Sequence, residues 1–275
     1  MSSATIRSYT AVGRAAKPLQ AVVTESAKVP GKLAIVIPAF REAENLRFLL
    51  NHTRAVLAGL LIPFEILVVD DDSRDGTAEI VSMMAREDSR VQLLVRTGQR
   101  GLSGAILHGW QHSEATILGV MDADGQHPPE LVPQLLARIN NGCDLVIGSR
   151  YGKGGSRGSW NPIRALVSAV AIWATHPLQP RRRRVHDPLS GIFLLQRNCV
   201  ENIVFQPEGF KLLLEILVRG RVRSVEEVPF AFARRRAGRS KAGLKVAWHY
   251  LVLLGRLYWT RFGMVRVPDE VSGGD

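Results

Sequence analysis

Short runs of β-branched and apolar residues alternate with longer amphipathic stretches from Leu33 onward. This alternation is typical of strand-helix-strand units, in which helices cover a largely parallel sheet. Strands are predicted at Leu33–Ile37, Glu65–Val69, Val91–Val95, Thr116–Met121, Asp144–Ile147, Gly191–Leu195 and Val225–Phe232. Helices are predicted at Glu42–Leu57, Thr77–Arg86 and Ser103–His112, after Pro128-Pro129-Glu130, and at Ile163–Thr175, Phe210–Arg219 and Val246–Arg261. The sequence therefore predicts an α/β fold with a mostly parallel central sheet flanked by helices.

The length of the chain, 275 residues, favours one large domain. We expect a flexible leader at 1–32, a single domain at 33–240, and a C-terminal amphipathic helix and tail at 241–275. The leader contains no continuous apolar segment of the kind found in secretory signals. No stretch of the chain reaches the roughly 18 uninterrupted apolar residues needed to cross a bilayer. A peripheral protein is the expectation.

The chain is strongly basic. Lys and Arg outnumber Asp and Glu by 36 to 25, which gives a net charge of +11. Such a balance favours phosphate-rich partners, and nucleic acid, anionic lipid and phosphorylated substrates all qualify.

Acidic residues follow two of the predicted strands. Asp122 and Asp124 lie two positions apart after an apolar run, and Asp70–Asp72 end another. Residues at this spacing share a face of an extended segment, so both carboxylates can point at one hard cation such as Mg²⁺ or Mn²⁺. Gln126 could add an amide oxygen. An isolated Asp-x-Asp could equally be a turn that caps the next helix, but the second acidic strand end and the basic loops downstream favour a cation and arginines around a diphosphate.

Several competing sites are excluded by their missing motifs. Gly98, Gly101 and Gly104 do not form the G-x-G-x-x-G of dinucleotide-binding folds, and the chain contains no P-loop. No serine lies in a G-x-S-x-G elbow, and the histidines lack zinc-ligand spacing.

Six motifs in this order give the chain a family resemblance. They are Ile37-Pro38-Ala39-Phe40-Arg41-Glu42, Val69-Asp70-Asp71-Asp72-Ser73-Arg74-Asp75-Gly76-Thr77, Asp122-Ala123-Asp124-Gly125-Gln126-His127-Pro128-Pro129-Glu130, Gly148-Ser149-Arg150-Tyr151, Asp187-Pro188-Leu189-Ser190-Gly191 and Gly238-Arg239-Ser240-Lys241. The chain resembles family 2 glycosyltransferases of the GT-A fold, and within them the polyprenyl-phosphate (dolichyl-phosphate) mannosyltransferases. The resemblance covers about Leu33 to Trp259, so the domain at 33–240 is expected to be a GT-A domain.

The resemblance implies a role for each site residue. The donor nucleotide sugar would be bound by Pro38, Phe40, Glu42, Val69, Asp71, Asp122, Ala123, Asp124, Arg235 and Lys241. The metal ion, Mg²⁺ or Mn²⁺, would be bound by Asp124 and Gln126. The acceptor phosphate would face Arg150, Arg164 and Ser168. The catalytic set would be Asp122, Asp124, Arg150 and Arg164.

The implied reaction is the metal-dependent, inverting transfer of mannose from GDP-mannose to a polyprenyl phosphate. Glucosyl transfer from UDP-glucose to undecaprenyl phosphate is the alternative within this class. A non-enzymatic module that binds membranes or nucleic acid through net charge would give no reason for two acidic strand ends. A nucleotidyltransferase would require a glycine-rich loop with Arg and Lys after the first strand, and Pro38-Ala39-Phe40 does not provide it.

The predicted helices Ile163–Thr175 and Val246–Arg261 suit the headgroup boundary of a membrane, near the basic run Arg181–Arg184. Part of their apolar surface could instead be core or a dimer interface. We expect a peripheral protein at the cytoplasmic face of a membrane, with no nucleic-acid partner and with its oligomeric state open.

Three positions depart from the usual family pattern. Phe40 replaces a more common tyrosine, Arg41 a more common asparagine, and Arg239 a more common glutamate. The changes at Phe40 and Arg41 remove a hydroxyl at the nucleotide, and Arg239 adds positive charge to its loop, so base selectivity is the property that these changes affect most.

Overall fold

The computed structural model describes residues 31–151, 155–156, 162–180, 184–205, 211–233 and 244–261. The side chains of 162–165 and 244–246, at the starts of two helices, are not described.

Strands and helices alternate along most of the described chain. The strands are β1 Leu33–Ala39, β2 Phe64–Asp70, β3 Val91–Val95, β4 Ile117–Met121, β5 Leu145–Ser149, β6 Ile192–Gln196 and β7 Val225–Pro229. The helices are α1 Ala43–Ala58, α2 Thr77–Glu87, α3 Leu102–Gln111, α4 Leu131–Asn140, α5 Pro162–Trp173, α6 Leu212–Arg219 and α7 Leu244–Arg261.

In the described residues the strands form one seven-stranded sheet in the order β3-β2-β1-β4-β6-β5-β7. β1 pairs in parallel with β2 and β4, and β5 pairs in parallel with β7. β6 lies antiparallel between β4 and β5. The predicted α/β fold with a mostly parallel sheet is therefore confirmed. The direction of β6 was not predicted, because hydrophobic periodicity carries no information on strand direction.

The central strands are buried on both faces. Every residue of β1, β2 and β4 is buried, as expected when helices cover both sides of a parallel sheet. One apolar cluster joins β1 to helices α1, α2 and α4, and a second joins it to α3 and α6. The helices contribute one apolar stripe each: in α1, Leu46, Leu49, Leu50 and Leu57 recur at helical spacing and are buried.

A third, smaller cluster lies between α5, α6 and α7. Its buried members include Ile172, Leu214 and Leu257. Tyr258 of α7 donates a hydrogen bond to the carbonyl oxygen of Ala174, just after α5, at 2.8 Å. Among the described residues, no helix is long and apolar enough to cross a membrane.

The predicted element boundaries shift by a few residues. The helix expected from Pro128 begins at Leu131, after a turn in which Leu131 N–H donates to the carbonyl of Pro128. The last predicted strand ends at Pro229, and Ala231 then forms an isolated bridge with Ser156. The predicted boundaries of the leader, domain and tail remain predictions.

Candidate active site

The carboxyl ends of β1, β2, β4 and β5 meet at one edge of the sheet, because these strands run in the same direction. Chain order reverses between β1 and β4, and ligands of open α/β sheets bind at such a point. All the described residues of the predicted site belong to these strand ends or to the loops and helices that follow them.

The loops after β1 and β2 are tied to each other. Arg41 N–H donates to Ser73 Oγ at 2.8 Å, and Ala43 N–H donates to Asp75 Oδ2 at 3.3 Å. Burial would raise the pKa of Asp75, but hydrogen bonds from Thr77 and Ala43 lower it below its usual value. An ionised Asp75 therefore holds the first turn of α1 against the start of α2.

The predicted nucleoside contacts lie in this region. Pro38 and Val69 are neighbours across the β1–β2 pair, and both are buried. The Glu42 carboxylate is also buried and accepts a hydrogen bond from Asn45 Nδ2 at 2.7 Å. The structure thus brings these predicted residues together at one end of the sheet.

The Phe40 ring lies near two guanidinium groups. Arg41 Cζ is 5.2 Å and Arg100 Cζ 4.7 Å from the ring centroid. Both distances are within the range of a cation–π interaction. Arg41 has φ 55°, a left-handed conformation that few non-glycine residues adopt.

Asp71 forms a buried ion pair. Its Oδ1 accepts from Arg96 Nε at 2.8 Å, and its Oδ2 accepts from the backbone N–H of Gly101 at 2.9 Å. Arg96 Nη2 donates in turn to the carbonyl oxygen of Gly101 at 3.0 Å. This closed ring of hydrogen bonds fixes the loop after β3 against the end of β2.

Asp122 begins the second acidic strand end, and its carboxylate lies against Gly191. Asp122 N–H donates to the carbonyl oxygen of Gly191 at 3.2 Å. A Cβ atom at position 191 would lie 1.9 Å from Asp122 Oδ2, so this contact requires glycine. The neighbouring Ala123 is buried.

Asp124 and Gln126 offer oxygen atoms to a hard cation. Gln126 N–H donates to Asp124 Oδ1 at 3.1 Å, which orients the carboxylate. Gln126 Nε2 donates to the carbonyl oxygen of Ala233 at 3.0 Å, so the amide nitrogen is occupied and the amide oxygen is the atom suited to a metal. Groups of three or more His, Cys, Asp or Glu that could enclose a metal are absent from the part of the chain that the structure describes. Two protein oxygens fit Mg²⁺ or Mn²⁺, which take their remaining ligands from substrate phosphate and water.

His127 follows in the same motif and is buried among aromatic rings. Its ring lies 5.6 Å from that of Phe230 and 5.3 Å from that of Phe232. Burial lowers the pKa of His127 to about 4, partly opposed by the charge of Asp124. The imidazole is therefore neutral near pH 7 and supports the turn that carries Gln126.

Arg150 forms a second buried ion pair. Its Nε and Nη2 each donate to Asp187 at 2.7 Å, one to each carboxylate oxygen. Burial would lower the pKa of Arg150, but the hydrogen bonds and charge of Asp187 raise it. The guanidinium carbon also lies 5.4 Å from the ring centroid of Phe232.

Ser168 of α5 is linked to the same strand end. Its Oγ lies 2.8 Å from the hydroxyl of Tyr151, the residue after Arg150. Arg164 lies on α5 one turn earlier, but its side chain is outside the described residues. Arg235 and Lys241 also lie outside the described residues.

Three partners of the site were not identified from the sequence. Arg96 binds Asp71, Asp187 binds Arg150, and Glu227 Oε1 accepts from Asp187 N–H at 3.0 Å. Arg96 follows β3 directly, so a cation at a strand end was the available signal. Asp187 was included in a motif, but its partner becomes visible only in the fold.

Solved structures of sugar transferases have the same fold. Glucosyl-3-phosphoglycerate synthase from Mycobacterium tuberculosis, in complex with Mn²⁺, UDP and phosphoglyceric acid, superposes with a TM-score of 0.64 at 21% identity. The match covers 88% of this chain and 81% of that one. Mannosyl-3-phosphoglycerate synthase from Rubrobacter xylanophilus matches with a TM-score of 0.61 at 17% identity, over 89% and 79% of the two chains. The predicted GT-A-type fold is confirmed.

The chain belongs to glycosyl transferase family 2, whose model matches residues 34–212. A dolichol-phosphate mannosyltransferase of Pyrococcus furiosus is 42% identical over 82% of this chain, and the chain spans 63% of the length of that relative. The enzymes of the same name from Mycosarcoma maydis and Saccharomyces cerevisiae are 39% and 36% identical, over 85% and 84% of this chain and 81% and 88% of their own length. The predicted resemblance to this group of family 2 is confirmed.

Proposed function

We propose that this protein transfers mannose from GDP-mannose to a polyprenyl phosphate, with inversion at the anomeric carbon. The observation that carries the proposal is the meeting of Asp122-Ala123-Asp124 with the Arg150–Asp187 pair at one edge of the sheet. Relatives at 36–42% identity are named dolichol-phosphate mannosyltransferase, and this supports the choice of sugar and acceptor.

The donor is proposed to bind at the ends of β1, β2 and β4. The nucleoside would lie against Phe40, between the tied loops after β1 and β2. Asp71 and Glu42 are anchored there by Arg96 and Asn45, so the loops do not have to be ordered when the donor binds.

The diphosphate of the donor is proposed to lie near Asp124 and Gln126. A divalent cation held by these residues would stabilise the departing nucleoside diphosphate as a Lewis acid. The chain itself keeps Asp124 and Gln126 in place through the Gln126–Ala233 bonds, which join the metal-binding turn to the segment after β7. Arg235 and Lys241, a few residues further on, are proposed to bind the diphosphate as well.

The acceptor phosphate is proposed to bind at Arg150, Arg164 and Ser168. Two of these are linked in the structure, since Tyr151 joins the end of β5 to Ser168 of α5. A phosphate is already anionic near neutral pH, so its attack requires positioning and charge neutralisation more than a strong base. An arginine oriented by both carboxylate oxygens of Asp187 supplies the positioning.

We also propose that the protein is peripheral, at the cytoplasmic face of a membrane, and meets its lipid acceptor there. One face of α5 exposes Leu166, Val167, Val170 and Trp173, and one face of α7 exposes Trp248, Leu251 and Trp259. Tryptophan and aliphatic side chains on paired helices suit the headgroup boundary of a bilayer. Cosedimentation with vesicles of anionic lipid tests this, and failure to bind would contradict it.

The reaction is tested by incubating the protein with Mn²⁺, a polyprenyl phosphate and a panel of radiolabelled GDP- and UDP-sugars. We expect lipid-extractable label from GDP-mannose, dependent on the metal and on the acceptor. Transfer from UDP-glucose alone would replace the proposed donor, and no transfer from any donor by folded protein would contradict the proposed reaction.

Asp124→Ala is the matching variant for the metal site. We expect a loss of turnover of roughly 10²–10³-fold, the scale for removing one electrostatic stabiliser. Glu226→Gln is its control, because Glu226 of β7 forms an exposed ion pair with Arg138 of α4. Equal activity of the two variants would remove Asp124 from the metal site.

A further inference from the structure

Lys211 lies at the site and has no assigned role. It immediately precedes α6, and it lines a small cavity together with Asp122, Ser190 and Gly191. The remaining walls are apolar and are formed by Leu102, Ile106, Val120, Leu189, Phe193, Leu212 and Leu213. The cavity measures about 20 Å³, which is room for about one water-sized group.

The ammonium of Lys211 is only partly satisfied by the residues that the structure describes. Among the described residues it makes one hydrogen bond, to the carbonyl oxygen of Leu189 at 3.3 Å. An ammonium has three donors, and a ligand in the cavity can accept from those that no described residue takes. Burial lowers the pKa of Lys211, as does the charge of Arg150, while Asp122 and Asp187 oppose this shift.

The neighbouring carboxylates differ in what they offer to Lys211. Asp187 is held by Arg150 through both of its oxygens, and by the backbone N–H of Arg150 at 3.0 Å. Asp122 lines the same cavity as Lys211. The cavity therefore combines an anion and a cation at a short distance from the Asp122-Ala123-Asp124 motif.

A hydroxyl group fits this combination better than a phosphate. A hydroxyl both donates and accepts, so it can accept from Lys211 while it donates to a carboxylate. A phosphate would be repelled by Asp122, and like charges at close range are costly where water is excluded. The volume suits one hydroxyl or hydroxymethyl group, with the apolar walls against the C–H groups beside it.

We propose that Lys211 is a sugar-binding residue, whose ammonium donates to one hydroxyl of the donor hexose while Asp122 accepts from the same part of the sugar. This rests on the proposed function, since it takes the hexose of the nucleotide sugar as the ligand. The residue would help to select the sugar, because a hexose without that hydroxyl, or with it in the other configuration, leaves the part-buried ammonium without its partner.

The test is to measure the binding of GDP and of GDP-mannose, with Mn²⁺, to the wild-type protein and to Lys211→Met. We expect Lys211→Met to lose at least tenfold in affinity for GDP-mannose, the scale of one hydrogen bond to a charged group, and to bind GDP as the wild type does. Equal losses for both ligands would overturn the proposal, since they would indicate a phosphate-binding or purely structural lysine. Unchanged binding of both would also overturn it.

Deoxy analogues of GDP-mannose provide a test that does not depend on Lys211→Met folding. In the wild type, removal of one particular hydroxyl should cost at least tenfold in affinity, and Lys211→Arg should change the cost at that position and at no other. No position-specific loss in the wild type would overturn the proposal. Wild-type protein that binds neither GDP nor GDP-mannose would contradict the proposed donor instead, so the two failures are distinguishable.

Discussion

Two buried arginine–aspartate pairs lie at the same edge of the sheet and differ in what surrounds them. In the Arg96–Asp71 pair each partner also forms a hydrogen bond with the backbone of Gly101: Arg96 donates to its carbonyl oxygen, and Asp71 accepts from its N–H. In the Arg150–Asp187 pair the aspartate is fully buried, and the guanidinium lies against Tyr151 and Phe232.

The difference indicates two uses of the same ion pair. Arg96 fixes the loop after β3 against the end of β2, on the proposed donor side. Arg150 is oriented by Asp187, and the next residue, Tyr151, is linked to Ser168, so Arg150 lies on the proposed acceptor side. Removing Arg96 should therefore reduce stability most, and replacing Arg150 should reduce turnover most.

Arg96→Met should destabilise the protein strongly. It leaves Asp71 buried without its cation, and breaking a buried pair in this way costs about 3–5 kcal/mol of unfolding free energy. Chemical denaturation measures the loss. Adding Asp71→Leu to Arg96→Met should recover part of it, because the two residues are coupled.

Arg138→Met is the control for Arg96→Met. Arg138 and Glu226 are both substantially exposed, and pairs of this kind contribute about 0–1 kcal/mol. If Arg96→Met costs no more than Arg138→Met, the Arg96–Asp71 pair does not lock the loop after β3 in place.

Arg150→Lys should have the next largest effect, on the kinetics. Lysine keeps the charge but cannot form the two parallel bonds to Asp187, so the cation is no longer oriented. We expect kcat/KM for the polyprenyl phosphate to fall by roughly 10²–10³-fold. Steady-state assays with each substrate varied in turn measure this.

Arg96→Lys is the comparison for Arg150→Lys. It should lower the melting temperature more than Arg150→Lys and the acceptor kcat/KM less. The reverse order of effects would break the distinction between the two ion pairs.

Gly191→Ala tests the close contact between position 191 and the Asp122 carboxylate. The added Cβ would displace the Asp122 carboxylate, and a misplacement of about 1 Å in a site can cost roughly 10²-fold in rate. Turnover measures the effect. Gly255→Ala, on an open face of α7, is the control, and there alanine should raise helix stability by up to about 1 kcal/mol. Similar activity of both variants would mean that Asp122 can move freely.

Trp173→Ser should have the smallest effect on the folded protein. Trp173 is 72% exposed, so unfolding free energy should change by less than about 0.5 kcal/mol. Vesicle affinity should fall roughly tenfold, because a large apolar group no longer enters the bilayer. Leu61→Ser, on the loop before β2 and 97% exposed, should leave vesicle affinity unchanged. Equal losses from both would contradict a membrane surface at α5.

Much of the fold was predictable from the sequence because its strands are local patterns. β1 and β2 are short apolar runs that end at acids or proline, and these runs mark both the strand and its carboxyl end. The position of Asp122 and Asp124 after β4 follows from the same pattern. The antiparallel direction of β6 was not predictable, since a buried strand has the same composition in either direction.

The partners of the site could not be read from the sequence. Arg150 and Asp187 are 37 positions apart, and Asp71 and Arg96 are 25 apart, so no local spacing relates them. Lys211 is also far from Asp122 in the sequence. The two residues line one cavity only because the fold brings the end of β4 next to the start of α6.

The sequence by itself determined the class of fold, the order of the elements and the acids that mark the site, because each depends on residues close together in the chain. The tertiary structure decided how those acids are used. It paired Asp71 with Arg96 and Asp187 with Arg150, placed Lys211 beside Asp122, and left one face of α5 and of α7 exposed. These features depend on strand order and helix packing, which bring distant residues into contact and which local patterns do not encode.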